Sequence, residues 1–147
     1  MTEPRIEQCA REIRAQHQFF RDWLGGTIDN TPAHFAEFEA VSGPDFSHIA
    51  PDGTLRPRQA LHDWIRTAHG VGHDVGLKIW IKNTTGRAVS DDLVLMTYEE
   101  WQQAAGETTA RLSSALFKAD RKARHGVVWL HVQETWLPEV VPTTPTP

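Results

Sequence analysis

The sequence predicts a single α+β domain, with helices in the first half and then long antiparallel strands curled around a pocket. Three observations predict it. Apolar residues recur at helical spacing up to about residue 68, and the period drops to 2 after a glycine-rich stretch at residues 69–76. The chain has 147 residues, 39% of them hydrophobic, which suits one core of ordinary size. The late strands also carry large apolar groups on both faces, which calls for cover on both sides.

The first helix is expected over residues 3–24. Ile6, Cys9, Ala10, Ile13, His17, Phe20 and Leu24 fall at three- and four-residue spacing, and Phe19 and Trp23 widen the stripe. Gly25-Gly26 ends it, because glycine accepts the left-handed conformation that helix ends use. Thr31 can cap a second, short helix ending near Glu39, with Pro32 at its first position and Phe35 and Phe38 on its apolar face. A brief strand at residues 45–49 leads into a tight turn at Pro51-Asp52-Gly53. A third helix at residues 56–68 places Leu61, Trp64, Ile65 and Ala68 together. The loop at 69–76 reads as a lip of the pocket. Strands are expected at 77–83, 93–103, 108–118 and 127–137, with turn signals at Asn83-Thr84-Thr85-Gly86 and Ala104-Ala105-Gly106. The domain spans residues 1–138, and the Pro/Thr-rich stretch at 139–147 reads as a disordered tail.

Composition excludes several classes. A formal charge of -4 and a pI near 6.0 argue against a nucleic-acid or anionic-membrane binder. The basic run Lys118, Arg121, Lys122, Arg124 and His125 is short, broken by Asp120, and reads as a solvated connection. Cys9 is the lone cysteine, so no internal disulfide is expected, and its place in a helical stripe marks a small buried hydrophobe. The charged start and the absence of a long apolar run give a cytoplasmic reading with no membrane partner. His69, His73 and Asp74 have some metal-ligand character, but Gly70 and Gly72 disfavour the helix that would align them, so no metal and no cofactor are expected.

Strand alternation puts Val128, Leu130, Val132 and Trp136 on one face of the last strand, and Trp129, His131, Gln133 and Thr135 on the other. Leu112 and Leu116 oppose Ala115 and Phe117, and Leu93 and Leu95 oppose Val94 and Met96. The helices can cover one face of such a sheet. A second copy of the chain is the expected cover of the other, giving a homodimer through the outer sheet face.

Three stretches carry a family likeness: Phe46-Ser47-His48-Ile49-Ala50-Pro51-Asp52-Gly53, Thr109-Ala110-Arg111-Leu112-Ser113-Ser114, and Trp129-Leu130-His131-Val132-Gln133-Glu134-Thr135-Trp136. Together with the helix-first order, they resemble the nuclear transport factor 2-like superfamily. These are the SnoaL-like and ketosteroid isomerase-like proteins, and the likeness is nearest to an uncharacterised branch related to the kinase association domain. The resemblance implies a cystatin-like cone of N-terminal helices on a strongly curved antiparallel sheet. Related chains often carry alternating histidines after the last-strand tryptophan. Gln133 and Thr135 stand at those positions here, which weighs against a histidine-based site.

The candidate ligand-binding set is Arg111, Ser113, Phe117, Trp129, His131 and Gln133, drawn from the last two strands. On one shared face, Arg111 would hold a carboxylate or other oxyanion, His131 would act as acid or base, and Trp129 and Phe117 would form walls. Tyr98 and Glu99 are further catalytic candidates beside His131, since a carboxylate lining an apolar cone becomes a base. Glu99 and Glu100 point to opposite faces, so at most one enters. The expected function is a dimeric protein binding a small, partly apolar or anionic molecule. The alternatives are a cofactor-independent isomerase or dehydratase and a dimeric assembly module.

Overall fold

The computed structural model describes residues 2–140, with side chains from Pro4 onward. Helix α1 (Thr2–Gly25) lies along a six-stranded sheet, with α2 (Pro32–Glu39) and α3 (Arg58–Thr67) beside it. The strands are β1 (Ser42–Ile49), β2 (Leu55–Pro57), β3 (Lys78–Ala88), β4 (Leu93–Ala104), β5 (Glu107–Ala119) and β6 (Val127–Trp136). Their order is β2-β1-β6-β5-β4-β3, antiparallel except where β1 lies parallel to β6. The expected helix-first α+β cone is therefore observed. Pro138–Val140 form one 3₁₀ turn, and the rest of the expected tail lies outside the described residues.

The local chemistry explains the boundaries. Gly26 takes φ 71°, and the amides of Gly26 and Thr27 bond back to the carbonyls of Trp23 and Asp22 at 3.1 and 2.9 Å. This closes α1 with the paired bonds of a glycine C-cap. Thr31 Oγ1 accepts from the His34 amide at 3.2 Å, and Pro32 opens α2 as expected. Ala105 and Gly106 both have positive φ, 51° and 78°, which makes the β4–β5 connection a tight two-residue hairpin turn.

Two turn or loop expectations are corrected. Asn83-Thr84-Thr85-Gly86 does not end a strand. The backbone bulges there, with Asn83 at φ 54° and the register shifting between Lys82 and Thr85, and β3 runs on to Ala88. The loop at 69–76 does not border the cavity. It packs on the end of α1, where the Gly70 and Gly72 amides bond to the carbonyls of Trp23 and Leu24. A side chain at Gly72 would strike Leu77, its Cβ standing 2.6 Å from that of Leu77.

The core fills the space between the helices and the concave face of the sheet. Ile13, Phe19, Trp23, Phe35, Phe38, Met96, Phe117 and Trp129 are its large members. Phe19 stacks on Trp23 and on Phe38, with centroids 5.6 Å apart in both pairs. The buried Trp23 indole satisfies its N–H by donating to the Ile65 carbonyl at 2.8 Å, which pins α3 against α1. Cys9 is fully buried, and that burial pushes its thiol up to about 12, so the inert reading holds.

The bulge in β6 decides what the cone contains. Leu116 pairs with His131 while Phe117 pairs with Trp129, so Leu130 is an extra residue opposite neither. The alternation of side chains changes phase across it. Trp129 before the bulge, and Val132, Glu134 and Trp136 after it, all face inward.

Candidate functional site

The open end of the cone encloses a cavity of about 150 Å³. Helix α1 contributes Gln16, His17, Phe20 and Leu24, and α3 contributes Leu61, Trp64 and Ile65. The sheet supplies Phe46 and His48 from β1, Tyr98, Glu100 and Gln102 from β4, and Arg111 from β5. Trp129, Val132, Glu134 and Trp136 of β6 complete the wall, with Asp52 and Arg56 at the mouth.

Cross-strand pairing sets the rows of this wall. Glu100 faces Arg111, which faces Trp136, and the next row runs Tyr98, Ser113, Glu134. Opposite charges thus stand directly across β4 and β5, a favourable arrangement on an inner face.

A chain of charged side chains occupies the buried side of the cavity. His17 Nε2 lies 3.0 Å from Glu100 Oε1, and its Nδ1 lies 2.7 Å from the Ile13 carbonyl. Both ring nitrogens meet acceptors, the arrangement of an imidazolium. Burial alone would lower the His17 pKa, but the Glu100 carboxylate outweighs it and the value is raised. Glu100 accepts from Gln102 Nε2 through its other oxygen. Burial works to raise its pKa, yet His17 and Arg111 hold it below the usual carboxylate range.

Glu134 is the second centre. Its Oε1 lies 2.7 Å from His48 Nε2 and 3.3 Å from Arg111 Nη1. The guanidinium of Arg111 also lies over the Trp136 ring, 4.8 Å from its centroid. Arg111 is thereby spoken for by a carboxylate and an aromatic face. Burial lowers its pKa, and Glu134 and Glu100 more than restore it. Burial and the same two carboxylates push the Tyr98 phenol well above its ordinary value, so it stays a neutral hydroxyl.

Some lining groups are incompletely satisfied. Gln16 Oε1, His48 Nδ1 and Arg111 Nε are buried without a hydrogen-bond partner among the described residues, as is Ser113 Oγ beside Tyr98. Gln16 is 6% exposed and His48 8%, so bulk water does not serve these side chains.

The sequence-derived set divides sharply. Arg111, Trp129 and Tyr98 line the cavity, and Ser113 and Phe117 lie buried on the same side without reaching the space. His131 and Gln133 do not join them, because the Leu130 bulge turns both to the outer face. His131 Nδ1 instead meets Ser47 Oγ at 2.8 Å, and Gln133 is exposed opposite Ser114. The expected convergence of Arg111 with His131 is therefore overturned. Glu99 also points outward, accepting from Asn83 and Trp101, and Glu100 is the member of that pair that enters. Strand reading missed Glu134 and His48, and it counted His17 only as part of an apolar stripe. A titratable residue inside that stripe was the available signal.

The narrow end of the cone is built around Glu12, fully buried on α1. Arg124 grips its two oxygens at 2.9 Å each, His125 Nδ1 lies at 3.2 Å, and Trp129 Nε1 donates at 3.1 Å. Two members of the basic run read as solvated are thus engaged, tying the β5–β6 connection to α1. His62 of α3 is also buried. Burial and the nearby Arg58 lower its pKa to about 4, and Ser42 Oγ meets its Nε2 at 3.0 Å. Among the described residues no group of three or more His, Cys, Asp or Glu could hold a metal ion, and no helix is long and apolar enough to cross a membrane.

Comparison with known proteins places this geometry. Residues 9–138 match the family described as sucrose-6-phosphate phosphohydrolase C-terminal. Sucrose-phosphatase 1 of Nicotiana tabacum is 26% identical over 129 residues, covering 87% of this chain and 30% of its own length. Probable sucrose-phosphatase 3a of Arabidopsis thaliana is 22% identical over 133 residues, covering 88% and 30%. The chain thus spans about a third of the length of these relatives. Among solved structures, an NTF-2 like protein of unknown function from Pseudomonas aeruginosa superposes with a TM-score of 0.78 at 29% identity, over 88% of this chain and 98% of that one. The CaMKII hub of S. rosetta shares the fold alone, with a TM-score of 0.66 at 13% identity over 92% and 96% of the two chains. A nuclear transport factor 2-like cone whose sequence matches along almost its whole length, this chain belongs to the family of sucrose-6-phosphate phosphohydrolase C-terminal domains.

Proposed function

We propose that the chain is a small-molecule-binding domain that holds its ligand in the cone and works as a homodimer through the outer face of the sheet. The observation that carries the reading is the cavity itself. It is concave and has walls of Phe20, Leu24, Trp129 and Val132 with a few polar groups converging between them, the usual make-up of a ligand site.

Binding is favoured over acid–base catalysis by Glu100 or His17 because both already have partners on each polar atom. Glu100 is engaged by His17 and Gln102, and His17 uses both ring nitrogens. A general base needs a free lone pair within reach of substrate. The relatives named as sucrose-phosphatases make sugars and sugar phosphates the first compounds to offer. Thermal-shift and calorimetric titration against such a panel tests the reading: a saturable shift, lost in Arg111→Ala, supports it, and silence across the panel counts against it.

Dimerisation draws support from the outer face, where Trp80, Leu95, Trp101, Leu116 and Leu130 are only partly covered and Leu112 is 36% exposed. An apolar sheet face of this kind is a usual site of association.

A further inference from the structure

We infer that the ligand is a neutral, hydroxyl-rich molecule about the size of one six-membered ring, sugar-like in chemistry, rather than an anion. The inference rests on the binding role proposed above and specifies its ligand.

Charge is the first argument. Glu100 and Glu134 bring two carboxylates to the cavity wall, and His17 and Arg111 bring two cations. The site is close to electroneutral as it stands. An incoming carboxylate or phosphate could use only the Arg111 nitrogens that Glu134 leaves free, and would then stand beside two like charges. A neutral ligand leaves both ion pairs in place.

Hydrogen-bond chemistry is the second. Both bonds to Glu134 end on Oε1, which leaves Oε2 able to accept from a further donor. Gln16 Oε1, an acceptor, Arg111 Nε, a donor, and His48 Nδ1, which can be either, are also unpartnered, and sit just behind the cavity surface where a small side-chain shift brings them to a ligand. A hydroxyl gives one proton and takes up to two, so a set of hydroxyls answers this mixture of donors and acceptors. Hydroxyls donating to carboxylates also form the stronger, charge-assisted kind of bond. A purely apolar ligand would leave these groups unanswered.

Shape is the third. Trp64 stands at the mouth, 45% exposed, with Arg56 stacked on its ring at 4.2 Å. Trp129 and Trp136 face the same space. Flat aromatic faces next to hydrogen-bonding groups suit a molecule with an apolar side and a hydroxylated edge. The cavity holds about 150 Å³, and a cavity of about that size accommodates benzene, one six-membered ring.

The test is isothermal titration of the full chain with glucose and myo-inositol, with glucose 6-phosphate and benzoate as anions, and with phenol as an apolar ring. The expected result is a dissociation constant for glucose or inositol at least about tenfold below that of either anion. Trp64→Ala should weaken that binding without moving the melting temperature, since the ring is at the mouth. Equal or tighter binding of glucose 6-phosphate or benzoate, or binding of phenol alone, overturns the ligand class and leaves the cavity as a binding site. No binding of any probe at tens of millimolar overturns both. Unchanged glucose affinity in both Trp64→Ala and Glu134→Gln, each shown folded by circular dichroism, overturns the location.

Discussion

His17 Nε2 and Glu100 Oε1 lie 3.0 Å apart inside the cone, joining the long helix to the middle of the sheet through a buried ion pair. Removing one member leaves the other charged and unpaired where little of its side chain meets water. Glu100→Gln should therefore cost about 3 kcal/mol, the low end for breaking a buried pair. Urea denaturation at neutral pH measures this, and a loss below about 1 kcal/mol would mean the pair is solvated, as surface pairs are.

The same pair predicts a pH dependence of fixed sign. The His17 pKa is raised, so its stabilisation is complete below the ordinary histidine value of 6.5 and fades as pH rises through the folded value. The Glu100 pKa is lowered, so its stabilisation is complete above 4.5 and fades as pH falls through the folded value. His62 acts oppositely to His17, because its value near 4 lies below 6.5 and its contribution is lost as pH falls between them. The difference in unfolding free energy between wild type and Glu100→Gln cancels His62. It should peak between pH 4.5 and 6.5 and decline on both sides. A difference that is flat with pH would reject the ion pair.

At the narrow end, Glu12 is the common acceptor for Arg124, His125 and Trp129. Glu12→Leu should destabilise the fold by about 3 kcal/mol, since it leaves the Trp129 N–H and the Arg124 charge without their acceptor. Trp129→Phe removes a single neutral donor to the same carboxylate, along with some packing, and should cost less. Melting curves rank the two variants, and the reverse order would show that indole packing outweighs the charge clamp.

The outer face gives a prediction about assembly. Light scattering with size exclusion at micromolar concentration should return a mass of twice 16.6 kDa, and Leu112→Asp should halve it. A wild-type species at 16.6 kDa alone would remove the dimer.

The overall architecture was legible because periodicity is a local signal. The heptad-like stripe of α1, the Thr31-Pro32 start of α2 and the Ala105-Gly106 hairpin each follow from residues within a few positions of one another. The site was half legible. Arg111 and Trp129 were found because each sits in an uninterrupted run of alternation up to the bulge. His131 and Gln133 were misassigned because a bulge at Leu130 has no sequence mark of its own. No glycine stands there, and the extra residue is another leucine among apolar neighbours. Asn83 carried a turn signal that the fold uses for a bulge instead, since the flanking segments both pair with β4. Glu134 could not have been linked to His48 from sequence, as they meet only through the parallel pairing of β1 with β6.

The extra leucine in β6 also makes that strand a two-phase ruler. Residues on either side of position 130 obey opposite rules of inside and outside, so loss of that one residue would close the ladder into a regular one and leave Trp129, Val132, Glu134 and Trp136 facing inward. Among homologous chains, a gap of one residue at this point would mark a domain with the same interior on an unbulged strand. Lining positions in relatives are then matched by cross-strand partner, through the residues opposite Ala115, Ser113 and Arg111, and not by counting in twos from the first tryptophan of the strand.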